Sequence, residues 1–120
     1  MSGNAVLDKS KAFAVRVVRL YQYLYDEKRE FTLSRQFLRC GTSIGANVRE
    51  AQHAQSKKDF LSKMNIALKE AYECEYWLEL LSETDYINEQ EFDSIIADCK
   101  ELNRLLTSIT KTSKSTTILP

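Results

Sequence analysis

Two glycines inside one helical pattern constrain this chain more than any other feature. Residues 35–55, RQFLRCGTSIGANVREAQHAQ, place Phe37, Gly41, Ile44, Val48 and Ala51 on a single apolar seam of helical period. Gly41 and Gly45 each weaken a helix interior by about 1 kcal/mol against alanine, and Thr42, Ser43 and Asn47 compete with the helix for backbone hydrogen bonds. A helix that accepts these residues must recover the loss in packing, so small residues on one face predict the close approach of a second helix. Beside the seam, Arg39, Ser43, Asn47 and Glu50 form a polar stripe. Its structural reading is a set of hydrogen bonds that fix the register of neighbouring helices.

The rest of the chain is compatible with helices alone. One proline and three glycines in 120 residues leave little turn chemistry for a sandwich or barrel. The length suits one domain with a buried core. The expectation is an all-α, antiparallel up-down-up-down four-helix bundle over residues 8–111, with residues 1–7 frayed and 112–120 disordered. Helix 1, residues 8–28, carries an inner seam of Phe13, Val17, Leu20 and Leu24 and a second seam of Ala14, Val18, Tyr21 and Tyr25. Together they are wider than one core requires, which is explained either by Tyr rings lying over the bundle's edge or by a subunit contact. Thr32 is the expected N-cap of helix 2, residues 33–55. Ser56 with Asp59 has capping-box spacing ahead of helix 3, residues 57–82, whose seam is Phe60, Met64, Ala67, Ala71, Cys74, Leu78 and Leu81. Asn88 with Glu91 does the same for helix 4, residues 89–111, and Ile87 is placed to staple onto Phe92.

Charge sums to zero but is unevenly placed. Residues 1–69 hold 13 Lys and Arg against 6 Asp and Glu, or +7, and residues 70–120 hold 4 against 11, or −7. Basic helices lying beside acidic ones neutralise each other, and this is the favoured reading. The competing one is a nucleic-acid face of Arg16, Arg19, Arg35, Arg39, Arg49, Lys57, Lys58 and Lys63. No long apolar run or secretory leader stands in the sequence, so a cytoplasmic protein without a membrane partner is expected. Cys40, Cys74 and Cys99 have neither zinc-ligand nor disulfide spacing and read as small apolar residues.

Candidate chemistry is sparse. Glu50 and His53 make a Glu-x-x-His pair, the ligand pattern of carboxylate-bridged metal bundles, but His53 is the only histidine. A metal-dependent enzyme built on Glu50, His53 and helix 3 carboxylates is therefore the minor alternative. Glu70, Glu73, Glu75 and Glu79 lack an accompanying nucleophile, and one of them is expected to turn inward to the polar stripe. No phosphate-binding glycine loop is present. The sequence thus predicts no catalytic residue, no cofactor and no small-molecule substrate.

The pattern Gln36-x-x-Arg39-x-x-x-Ser43-Ile44-x-x-Asn47-Val48-x-Glu50, followed by Phe60, Ala67-Leu68 and Glu73, resembles the four-helix-bundle proteins encoded in intervening sequences of bacterial large-subunit (23S) rRNA genes. Accessory variability proteins of diversity-generating retroelements are more distantly similar. The resemblance spans about residues 13–81. It implies an antiparallel bundle that assembles into a ring-shaped homopentamer, and the retroelement relatives bind nucleic acid together with a reverse transcriptase. The chain departs from that pattern with Ala51 in place of Gly, Lys69-Glu70 in place of Gly-Ser, and a net charge of zero instead of a basic one. The expected function is a non-enzymatic oligomeric scaffold or adaptor, with RNA or DNA binding as the alternative.

Overall fold

A computed structural model describes residues 5–118, with side chains over 5–112. It contains four helices, α1 (Ala5–Asp26), α2 (Leu33–Ala51), α3 (Lys57–Glu83) and α4 (Glu89–Ile118). Sequential helices pack closely against one another, α1 and α4 approach less closely, and no Cα pair of diagonal helices comes within 8 Å among the described residues. The molecule measures 53 × 24 × 21 Å. Cross-helix contacts give the directions. Gly41 faces Val17 while Gly45 faces Ser10, and Arg39 meets Glu73 while Glu50 meets Lys63, so α2 runs antiparallel to both α1 and α3. Lys9 reaches Glu101 and Arg16 reaches Asp98 and Glu91, so α4 runs antiparallel to α1. No described helix is long and apolar enough to cross a membrane.

The seams read from the sequence form the core. Phe13, Val17 and Leu24 of α1, Phe37, Ile44 and Val48 of α2, Met64, Leu78 and Leu81 of α3, and Ile95, Leu102 and Leu106 of α4 are all buried. Phe60, Phe92 and Ile109 cover its ends as partly buried residues. The second seam of α1 stays outside: Val18 and Tyr25 are exposed, and Tyr21 is half-buried against Tyr25 at 5.9 Å between ring centres.

Helix ends account for most differences from the sequence expectations. Ser56 is extended, and its hydroxyl accepts the Asp59 N–H at 3.0 Å, while the Asp59 carboxylate accepts the Gln55 N–H at 3.3 Å. The Asn88 side chain accepts the Glu91 N–H at 2.7 Å. Thr32 stands at the N-cap position as expected, but its backbone is helical and its side chain makes no capping bond. Glu30 takes that role. Its carboxylate accepts the N–H groups of Thr32, Leu33 and Ser34 at 3.1, 2.9 and 2.7 Å, and the Ser34 hydroxyl returns a bond to the Glu30 carbonyl at 2.8 Å. A buried carboxylate at the positive end of the helix dipole satisfies three orphan donors, more than a threonine hydroxyl reaches. Burial disfavours the charge on Glu30, but the N–H donors of Leu33, Ser34 and Thr32 outweigh it and hold the carboxyl below its usual range.

Helix α2 stops at Ala51 instead of residue 55. Gln52, His53 and Ala54 bond carbonyls three residues back, the tightened last turn that frees the chain to extend at Ser56. Helix α1 stops at Asp26, and Arg29 enters the left-handed region at φ 56° to turn toward Glu30. After α3, Asp85 at φ 67° donates to the Ser82 carbonyl and Tyr86 donates to that of Leu81, the paired bonds of a Schellman stop. Helix α4 continues past residue 111 to Ile118, because neither glycine nor proline interrupts it before Pro120. Residues 1–4 and 119–120 of the expected frayed ends lie outside the described residues.

Two predictions follow from these contacts. A methyl group on Gly41 would sit 2.6 Å from both γ-carbons of the buried Val17, whereas on Gly45 it would meet the Ser10 carbonyl at 3.4 Å. Urea unfolding should show Gly41→Ala destabilised by about 1–3 kcal/mol, with partial recovery on adding Val17→Ala. Gly45→Ala should be neutral or stabilised by up to about 1 kcal/mol. Replacement Glu30→Gln should cost about 1 kcal/mol near neutral pH. Because the folded carboxyl titrates below its unfolded value, that difference is full above the unfolded pKa and disappears as pH falls through the folded one. Urea midpoints of the two proteins should therefore converge below about pH 4.

Candidate functional site

Most of the polar stripe of α2 lies along its boundary with α3, and its members divide by length. Arg39 reaches across, meeting Glu73 at 2.6 Å and Glu70 at 3.4 Å. Glu73 also accepts the Trp77 indole N–H at 3.1 Å, so one carboxylate ties a guanidinium and an aromatic ring together. The Glu73 hydrogen bond is the main reason that the guanidinium pKa is pushed further up. Glu50 at the other end of α2 pairs with Lys63 at 3.1 Å. Between them Ser43 donates to the Arg39 carbonyl at 2.7 Å and Asn47 to the Ser43 carbonyl at 2.9 Å. The middle of the stripe thus bonds its own helix instead of bridging to a neighbour. Short side chains find the carbonyl one turn back before they find another helix.

The eight basic candidates are dispersed. Arg16 is held by α4, with Asp98 at 2.8 Å, the Ser94 hydroxyl at 3.1 Å and Glu91 at 3.7 Å. Arg39 and Lys63 are paired as above. Arg19 lines a groove of about 410 Å³ with Tyr23 and Asn88, on the side of α1 that faces α4. Arg35 opens α2 and Arg49 lies near its end, 14 residues on and so about 21 Å away. Arg49, near the end of α2, and Lys57 and Lys58, which open α3, flank the α2–α3 turn in the chain, and all three are exposed.

Groups suited to covalent or metal chemistry are occupied or sealed. His53 is exposed on the turn, Glu50 is committed to Lys63, and no three metal-binding side chains converge among the described residues. All three cysteines are buried and free, with the sulfurs of Cys40 and Cys74 3.1 Å apart and Cys99 donating to the Ala71 carbonyl at 3.4 Å. The contact with Cys40, then burial, pushes the Cys74 thiol up, and burial, then the charge of Glu75, pushes up that of Cys99. Both stay protonated and inaccessible, the opposite of a nucleophile.

The features most open to a partner are on the surface. Along α1 the outward residues Val15, Val18 and Tyr25 are 47, 37 and 42% exposed. Two shallow grooves border them: one of about 430 Å³ over Ala14, Val15 and Val18, and one of about 240 Å³ that reaches Gly45, Ala46 and Arg49 of α2. On α3, Ile66 and Tyr76 are exposed at 38 and 55%. Trp77 is partly buried against the core and stacks edge-on to Tyr76 at 5.2 Å. Sequence reasoning missed Glu30, and it missed a polar contact between α3 and α4 in which the buried Asn103 amide donates to Glu75. An Asn on the seam-facing side of a heptad was the available signal for the second.

Comparison with known proteins places this geometry. The family model described as 23S rRNA-intervening sequence protein matches residues 3–108. No curated protein matches the chain. The crystal structure of a protein of unknown function from the S23 ribosomal protein family of Bacteroides thetaiotaomicron is similar to it, at 59% identity and a TM-score of 0.88. The similarity covers 89% of this chain and 99% of that one. Four helices, the Arg39–Glu50 stripe and a match over nearly the whole bundle agree, and the chain belongs to the 23S rRNA-intervening sequence protein family.

Proposed function

We propose that this protein is a non-enzymatic, self-associating bundle, one subunit of a ring that presents a repeated surface to a macromolecular partner. The observation that carries the reading is the unpartnered outer stripe of α1. Three large apolar side chains at helical spacing, two of them lining a groove, are more than scattered surface residues require. The second patch, Ile66 and Tyr76 on α3, lies on another helix with Lys69 between its two residues, whereas the α1 grooves are rimmed by Lys11, Arg19 and Arg49. Two unlike patches suit a head-to-tail contact, and head-to-tail contacts whose rotation closes make rings. A ring of five is the size that the family resemblance suggests.

Light scattering coupled to size exclusion at micromolar concentration tests this. The wild type should elute as a multiple of 13.9 kDa, and Val18→Asp/Tyr25→Asp should elute as a folded monomer with unchanged circular dichroism. A monomeric wild type refutes the reading.

A second reading, binding of RNA or DNA, is favoured by Arg49, Lys57 and Lys58, none of which has a carboxylate partner among the described residues. Ring symmetry would repeat this small patch and raise its effective affinity. Fluorescence anisotropy with structured RNA at about 50 mM salt should then show binding that Lys57→Glu/Lys58→Glu abolishes and that added salt weakens steeply. Binding indifferent to the charge reversal removes the patch.

A further inference from the structure

The basic residues considered so far lie in the first half of the chain, yet the acidic half holds a cationic groove of its own. It runs between α3 and α4, has a volume of about 370 Å³, and is lined by Tyr72, Asn103, Arg104, Thr107, Ser108 and Lys111. Arg104, Thr107, Ser108 and Lys111 recur at three- and four-residue intervals and so share one face of α4. The carboxylates of α4 that form ion pairs, Glu91, Asp98 and Glu101, all turn to α1, and those of α3, Glu70 and Glu73, turn to α2. Arg104 and Lys111 are left without a carboxylate partner among the described residues.

Two further observations say what kind of anion would fit. Asn103 is 6% exposed, and its amide N–H donates to Glu75 while its carbonyl oxygen has no partner. A buried acceptor without a donor is costly, and because that oxygen is sealed from solvent the amide would have to turn outward for a ligand N–H to relieve it. Tyr72 is 54% exposed on the opposite wall and offers a flat ring of the kind on which nucleobases stack. Acceptor and ring lie at the Asn103 end. Lys111 lies eight residues along, about 12 Å away, with the two hydroxyls between.

We propose that this groove binds a mononucleotide. The base lies against Tyr72 with its exocyclic amine toward the Asn103 carbonyl and Glu75, and the phosphates lie along Arg104, Thr107, Ser108 and Lys111. The polarity follows from charge. Glu75, bonded to Asn103, disfavours phosphate there, Arg104 stands beside it, and Lys111 draws the phosphates toward the far end. The volume falls within the range of small-ligand sites. The groove is separate from the outer stripe of α1, while its Tyr72 stands one turn from Tyr76 of the second patch.

Isothermal titration of the full chain with ADP, adenosine and tripolyphosphate tests the assignment. ADP should bind with micromolar affinity, and Arg104→Glu/Lys111→Glu should weaken it at least about tenfold, as expected when charge-assisted contacts are reversed. Tyr72→Ala should weaken ADP by about 5- to 100-fold, as loss of one stacked base does, and leave tripolyphosphate unchanged. Tyr72→Phe should restore ADP binding. Circular dichroism confirms that each variant is folded. No heat with ADP up to about 1 mM overturns the proposal. So does ADP binding that is insensitive to Arg104→Glu/Lys111→Glu, or tripolyphosphate binding as tight as ADP and equally sensitive to Tyr72→Ala. An RNA oligonucleotide that binds where ADP does not also overturns it.

Discussion

The bundle depends on how closely α2 can approach α1 at Gly41. With no side chain there, the buried Val17 occupies the space that a β-carbon would need, and the two backbones come together along a line that continues to Gly45 and Ser10. Helix pairs ordinarily keep 8–10 Å between axes, set by the side chains at the crossing. Removing one side chain lets the pair close, and the packing gained offsets the helix propensity lost at two glycines. The same contact fixes the rotation of α1. With Phe13, Val17, Leu20 and Leu24 turned to the core, Val15, Val18 and Tyr25 must face outward. The exposed stripe is thus a geometric consequence of the glycine contact.

Rotation of α2 has a matching consequence on its other side. Once Gly41 faces α1, Arg39 is carried to α3, where Glu70 and Glu73 meet it. The +7 and −7 halves of the chain therefore face each other sideways, α1 against α4 and α2 against α3. Each of these pairs is at least partly exposed and contributes about 0–1 kcal/mol, so their effect on stability is small. Their effect on the field around the protein is larger. Charges consumed in lateral pairs project little potential, which leaves isolated cations as the places where an anion would be drawn.

The interior was legible in the sequence because burial follows helical period, and period survives in a single chain. Caps with a short polar side chain at fixed spacing were legible too, as at Ser56 and Asn88. The cap of α2 was not, since Glu30 acts from outside the usual cap position and reaches three N–H groups by virtue of its length and of the left-handed turn at Arg29. The end of α2 was misplaced because residues 52–55 are acceptable helix formers, and the demand that ends the helix is the extended backbone of Ser56. For the polar stripe, the sequence showed alignment without showing reach. Arg39 and Glu50 cross to α3, while Ser43 and Asn47 bond their own helix, a distinction set by side-chain length. The groove at Tyr72 escaped because its walls come from two helices whose relative rotation no single-helix pattern contains.

A bundle of this kind has little room for chemistry inside. Four seams fill the interior with apolar side chains and buried thiols, so recognition falls to the outer faces, which differ in kind. The outer face of α1 is apolar and extended, suited to a rigid protein surface. The α2–α3 turn is basic and convex, suited to a flexible polyanion. The α3–α4 groove is concave and mixed, with a ring, a buried amide and two cations, suited to a small molecule with both an aromatic and an anionic part. Assembly through α1 and the Ile66–Tyr76 face would leave the outward side of α4 uncovered and bring the neighbouring subunit within one turn of Tyr72, the α3 wall of the groove. Each subunit added to a ring would then add one such groove beside an interface.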